Sequence, residues 1–141
     1  MEHNVNLVWK GAMQFESEGP GGKVLIAAGS DTIETREGLR PKAMMLSSLA
    51  GCAGMDIAFL IPKMRVEVDG FDIDVVGRLT DGSPQTYDHV KLTFTFYGKE
   101  LAEKKLLKIV DRSVNEMCGV LAMFRKFAEI QVDTVFAEAK Q

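Results

Sequence analysis

The chain reads as an α+β protein, and three observations lead there. Alternating polar and apolar runs open it, a twenty-residue stretch with only two charges fills its middle, and further alternating runs lie around two amphipathic segments. Strands grouped before and after the helices, rather than alternating with them one by one, predict a mostly antiparallel sheet with the helices on one side. A length of 141 residues suits one compact domain, 1–141, with a core of useful size.

The first three elements are short strands. HNVNLVW (3–9) alternates, AMQFESE (12–18) does so more weakly, and KVLIAAG (23–29) is short and apolar. Gly11 and the GPGG of 19–22 lie between them, where hairpin turns belong. GSDTIETREGLR (29–40) is polar and reads as a loop. At Pro41 the pattern changes. Proline is well tolerated at the first helical position, and PKAMMLSSLAGCAGMDIAFL (41–60) carries no charge besides Lys42 and Asp56, so it predicts a buried helix that Pro62 ends or kinks.

VEVDGFDIDVVGRL (66–79) alternates in two bouts and predicts a long strand bulged at Gly70. DGSP (81–84) is a turn, and HVKLTFTFYG (89–98) is the clearest strand, with Val90, Leu92, Phe94 and Phe96 on one face. KELAEKKLLKIVDRS (99–113) is amphipathic at helical spacing. Ser113 and Glu116 fit a capping box, predicting a fresh helix through NEMCGVLAMFRKF (115–127), and EIQVDTVFAE (129–138) closes the order as a strand.

Several classes of function fall away. The 17 basic and 20 acidic residues leave a net charge of −3 and no basic block, so nothing electrostatic points to nucleic acid. No apolar run is of membrane-spanning length, and MEHNVNLVWK lacks the apolar heart of a signal peptide, so no membrane partner is expected and the cytoplasm is the expected location. Two cysteines are too few for a disulfide scaffold; in a reducing compartment they rest as thiols, and any pairing between them is transient. His3 and His89 each stand alone, no Cys/His spacing suggests zinc, and GPGG lacks the Lys-Ser/Thr of a phosphate loop, so neither metal nor cofactor is expected.

Within the long helix Ser47, Gly51, Gly54 and Ala58 are spaced by four, three and four, and so share a face. Two interior glycines each cost about 1 kcal/mol relative to alanine. Close approach of another backbone would offset that, from another helix of this chain or from the same helix of a second copy. Cys52 lies about 100° around from Gly51, with Met45, Leu49 and Phe59 near its meridian and Asp56 one turn on. Taken alone it reads as a small core hydrophobe. A reactive Cys52 needs a cation from elsewhere, because it stands too far into the helix for the dipole to help and Asp56 opposes a thiolate. The cations nearest in sequence are Arg36, Arg40 and Lys42, the last about 15 Å away along the axis. With Ser113 as cap, Cys118 falls in the second turn of its helix beside Gly119, and on its own it also reads as a core cysteine, among Val114, Met117, Leu121 and Phe124.

Pro41, then Cys52 eleven residues later within LAGCAGMD, then the cysteine of NEMCGVLAMF, together resemble the OsmC/Ohr family. The similarity runs nearly end to end: VNLVWKGAMQFESEGPGGKVLI resembles the family's first hairpin region, GCAGMDIAFLIPKMRVEVDGF its central helix and following strand, and SVNEMCGV its second-cysteine helix. The resemblance implies an OsmC-like fold, with antiparallel sheets wrapped around long central helices in an intertwined homodimer. It also implies a thiol peroxidase for small organic hydroperoxides. Cys52 would be the peroxidatic residue that becomes a sulfenic acid. Cys118 would resolve it to a disulfide, which a dihydrolipoyl group or another dithiol reduces. The two sulfurs, 66 residues apart in sequence, would then face each other, within one chain or across the dimer, over a small pocket lined by residues such as Met55, Phe59 or Leu121.

The chain also departs from the family pattern. Lys42 and Ala43 stand where the active peroxidases carry a Glu that holds a catalytic Arg, no arginine precedes Arg36, and Gly119 replaces a proline common after the second cysteine. These departures resemble a less characterised OsmC-like branch. They leave open a non-catalytic dimer that binds an apolar ligand or senses redox state, or one of purely structural role.

Overall fold

The computed structural model describes residues 1–29 and 32–138; Ser30 and Asp31 of the expected 29–40 loop lie outside the described residues. By its contacts the chain divides into two compact units, Met1–Met45 and the remainder from Leu46.

In the first unit β1 (Asn6–Gly11), β2 (Gln14–Gly19) and β3 (Gly22–Ala27) form an antiparallel sheet in chain order. Trp9 stands opposite Phe15, and Phe15 opposite Ile26. The segment that follows returns along β3: the Leu39 N–H donates to Leu25 O, the Ala27 N–H donates to Leu39 O, and Ile26 and Leu39 form a parallel bridge. Gly38 makes that return possible. Its φ is +148°, and a Cβ there would come within 2.8 Å of the Ala27 backbone nitrogen.

The second unit is built on β4 (Gly70–Leu79), β5 (Tyr87–Tyr97) and β6 (Glu129–Ala137), in that order across the sheet. Val90, Leu92, Phe94 and Phe96 on the central strand β5 are all fully buried, as their spacing predicts. The helices α1 (Pro41–Lys63), α2 (Glu103–Arg112) and α3 (Gly119–Phe124) supply most of the rest of the core. Leu49, Ala53, Ile57 and Leu60 come from α1, Leu106, Ile109 and Val110 from α2, and Leu121 and Phe124 from α3.

The sheet is antiparallel between β4 and β5 but parallel between β5 and β6. A parallel return needs a long crossover, and residues 98–128 provide one.

Other boundaries differ from the sequence reading for local reasons. The strand expected over 66–79 begins at Gly70, because the chain leaving α1 first closes the helix end through Val66. Arg65 takes φ +55°, its N–H donates to Pro62 O, and the Val66 N–H donates to Ile61 O. Pro62 lies inside the last turn, one residue before the helix stops. The irregularity in β4 falls at Arg78/Leu79 rather than Gly70, which pairs regularly with Tyr97. The helix expected from residue 99 starts at Glu103.

The expectation that no apolar run reaches spanning length needs correction. Despite Lys42 and Asp56, α1 has 23 residues and a mean hydropathy of 1.7 over its most apolar stretch, which meets the length and composition of a membrane span. Its inner face nevertheless belongs to the core just described, as a core helix of that length does. The small-residue face divides. A Cβ on Gly54 would meet Ile73 of β4 at 3.2 Å, so this glycine serves the chain's own sheet. Gly51 has nothing within 4 Å of that position, and Ser47, Met55, Ala58 and Phe59 around it are exposed.

Candidate dithiol site

Cys52 projects from the middle of α1, half-buried against the core, with the fully buried Ala53 next to it. Cys118 arrives by a different route. The last turn of α2 does not stop at Ser113 but widens into a π-helical turn, Ser113–Met117, closed by the Cys118 N–H donating to Ser113 O at 2.8 Å. At Cys118 the backbone becomes extended (φ −74°, ψ 101°), and its sulfur accepts the Leu121 N–H at 3.4 Å. Cys118 is therefore itself the N-cap of α3. The capping box expected at Ser113 and Glu116 does not form.

Ser113 is drawn elsewhere. It is fully buried, and its hydroxyl lies within donating reach of Ala53 O at 3.3 Å and Asp56 Oδ2 at 3.1 Å, both on α1. A buried hydroxyl has to find such partners. In finding them it fastens the turn before Cys118 to the turn after Cys52.

The result brings the two cysteines close enough for Cys52 to act on the Cys118 thiol, and both are free. Burial pushes the Cys118 thiol up to about 11, the charges of Cys52 and Asp56 push in the same direction, and the Leu121 N–H offsets part of the effect. At neutral pH Cys118 is thus a neutral thiol.

The cations singled out in the sequence are engaged within the N-terminal unit. Arg36 donates to Lys10 O at 3.2 Å and pairs with Glu34, and Arg40 donates to Ala27 O at 2.8 Å. Lys42 is exposed in the first turn of α1. A cation that sequence reasoning missed is Arg125, which donates to Asn115 Oδ1 at 3.2 Å and borders a cleft of about 380 Å³ together with Met117, Cys118, Gly119 and Ala122. The spacing Cys118, Ala122, Arg125 is a helical one and could have pointed to it. Leu121 does not line this cleft but is fully buried in the core, while Met55 and Phe59 lie on the exposed face of α1. Among the described residues no three His, Cys, Asp or Glu side chains are grouped to hold a metal ion.

A long central helix and a crossover that meet at a pair of reduced thiols define a dithiol protein of α+β architecture. The family model described as OsmC-like protein matches residues 34–133, and the chain belongs to that family. Among sequence relatives, Protein YhfA of Escherichia coli (strain K12) is 23% identical over 122 residues, covering 86% of this chain and 89% of that protein. Among solved structures, a hypothetical protein from Aquifex aeolicus VF5 superposes with a TM-score of 0.86 at 24% identity, over 99% of both chains. The organic hydroperoxide resistance protein OhrB of Bacillus subtilis shares the fold with a TM-score of 0.64 at 15% identity, over 95% of this chain and 98% of that one.

Proposed function

We propose that the chain is a two-cysteine thiol peroxidase that reduces organic hydroperoxides in the cytoplasm as a homodimer. The observation that carries this reading is the pairing of Cys52 with Cys118, a half-buried thiol facing a buried, protonated one. Membership of the OsmC-like family supports it, as does the fold held in common with an organic hydroperoxide resistance protein of B. subtilis.

In the first step the Cys52 thiolate attacks the distal oxygen of ROOH. The O–O bond breaks, Cys52 becomes a sulfenic acid, and the alkoxide leaves as ROH after taking a proton. In the second step the Cys118 sulfur attacks the Cys52 sulfur, the S–O bond breaks, and the Cys118 proton leaves with the hydroxyl as water. A dithiol, such as a dihydrolipoyl group, then returns the disulfide to two thiols and is itself oxidised to a disulfide. Lys42 and Ala43 replace the family's Glu, so Cys52 is a weaker nucleophile than in enzymes with the intact Arg–Glu pair.

The homodimer reading rests on α1, whose outer face exposes Met55 and Phe59 to 75% and 53%. A long apolar face of this kind is what an obligate partner covers.

The test is consumption of cumene hydroperoxide by the full chain with dihydrolipoamide as reductant. Turnover that depends on both cysteines supports the reading. No turnover, with no hydroperoxide-dependent loss of the Cys52 thiol, overturns it in favour of a binding protein.

A further inference from the structure

We propose that Ser113 is a positioning residue for the disulfide-forming step, its hydroxyl fixing the π-turn before Cys118 against the Cys52 segment of α1. The inference rests on the peroxidase reading above and adds to it one residue with an assigned task.

The geometry begins with the π-turn. Its wider winding accommodates one more residue than an α-helical turn, and such turns recur at functional sites. In an α-helix the next residue would sit about 100° further round, so the winding of Ser113–Met117 decides where the Cys118 side chain points. Ser113 holds this turn at both ends. Its carbonyl takes the Cys118 N–H, and its buried hydroxyl reaches Ala53 O, next to Cys52, and Asp56 Oδ2, one turn beyond Cys52. A single residue is thereby hydrogen-bonded both to Cys118 and to the Cys52 segment of α1. Removing the hydroxyl frees the π-turn from α1 without touching either sulfur.

The step itself balances within the chain. When Cys52 is a sulfenic acid the Cys118 sulfur attacks it, the S–O bond breaks, and the Cys118 proton leaves with the hydroxyl as water, so disulfide forms with no external oxidant. What Ser113 contributes is the standing approach of the Cys118 turn to the Cys52 turn of α1.

The experiment uses the full chain. One equivalent of cumene hydroperoxide is added to the two-cysteine protein and sulfenic acid is trapped with dimedone. Ser113→Ala is expected to lengthen the life of the Cys52 sulfenic acid at least tenfold while its formation rate stays within twofold. Ser113→Thr, which keeps the hydroxyl, is expected to restore the wild-type lifetime. Disulfide formation at the wild-type rate in Ser113→Ala overturns the task given to Ser113. If wild-type Cys52 never reacts with the hydroperoxide, the peroxidase reading fails. Diamide then replaces the hydroperoxide, and an unslowed Cys52–Cys118 disulfide in Ser113→Ala counts against Ser113 in the same way.

Discussion

Cys52 stands in the middle of a 23-residue helix, half-buried, with nothing irregular in the backbone around it. Cys118 is 5% exposed and sits where a helix widens, breaks and restarts. One thiol is placed by the regular repeat of α1, the other by an exception to the repeat. A dithiol can divide its labour along that line. In the proposed cycle the more open sulfur meets the substrate, while the other is buried, protonated and tied to its surroundings through the Leu121 N–H.

The sharpest way to break this division is to remove each sulfur in turn. Cys52→Ser is expected to reduce hydroperoxide turnover by a factor of about 10³ or more, since no nucleophile then remains at the open position. If Cys118 can replace it, the variant retains a substantial rate and the asymmetry is illusory. Cys118→Ser is expected to permit one round of oxidation and then halt, with Cys52 advancing to the sulfinic level under excess hydroperoxide. Mass spectrometry of the Cys52 peptide reads this directly, and sustained turnover with dihydrolipoamide would remove Cys118 from the cycle.

The protonation of Cys118 also has a cost in stability, with a defined sign. Between pH 9 and 11 the unfolded chain releases the thiol proton while the folded chain keeps it, so stability is fully present below about pH 9 and falls as pH rises towards 11. The loss should be on the order of 1 to 2 kcal/mol between pH 8 and pH 10.5, each tenfold change in proton affinity being worth about 1.4 kcal/mol. Urea unfolding at pH 8 and pH 10.5 measures it, and Cys118→Ser should flatten the difference relative to wild type. An equal decline in that variant assigns the effect to other groups.

The smallest expected effect separates the two faces of the helix that carries Cys52. Gly54→Ala gains about 1 kcal/mol of helix propensity but presses on Ile73, so its net effect should be close to zero. Gly51→Ala has open space in the single chain and should stabilise α1 by about 1 kcal/mol there. In the proposed dimer it instead obstructs close approach of the second copy. Light scattering at falling concentration should then show Gly51→Ala dissociating before wild type, whereas a wild-type protein that is monomeric throughout rules the dimer out.

Much of the fold was legible because its signals are local. The alternation from Val90 to Phe96 identified the central strand, and Pro41 marked the first residue of α1. The cysteine pair was legible through family resemblance alone, since nothing at Cys52 itself announces a partner 66 residues away. What escaped depended on competition between partners. Ser113 has the sequence of a cap, but a buried position beside Ala53 O and Asp56 offered its hydroxyl stronger reasons to point across to α1. Val66 and Val68 alternate like a strand, yet closing the end of α1 took the Val66 backbone, and β4 begins only at Gly70. The parallel direction of β6 is invisible to alternation, which reports the faces of a strand and is silent about its sense.

That parallel strand has a consequence for how the protein is born. β5 carries the most deeply buried side chains of the second unit, and one of its edges is covered by β4, made just before it. The other edge waits for β6, which cannot arrive until the crossover has been synthesised and residue 137 has left the ribosome. Throughout that interval the nascent chain presents an unpaired edge on its most apolar strand, the condition under which sheets recruit wrong neighbours. The order of synthesis therefore places the vulnerable moment of this fold between the emergence of β5 and that of β6.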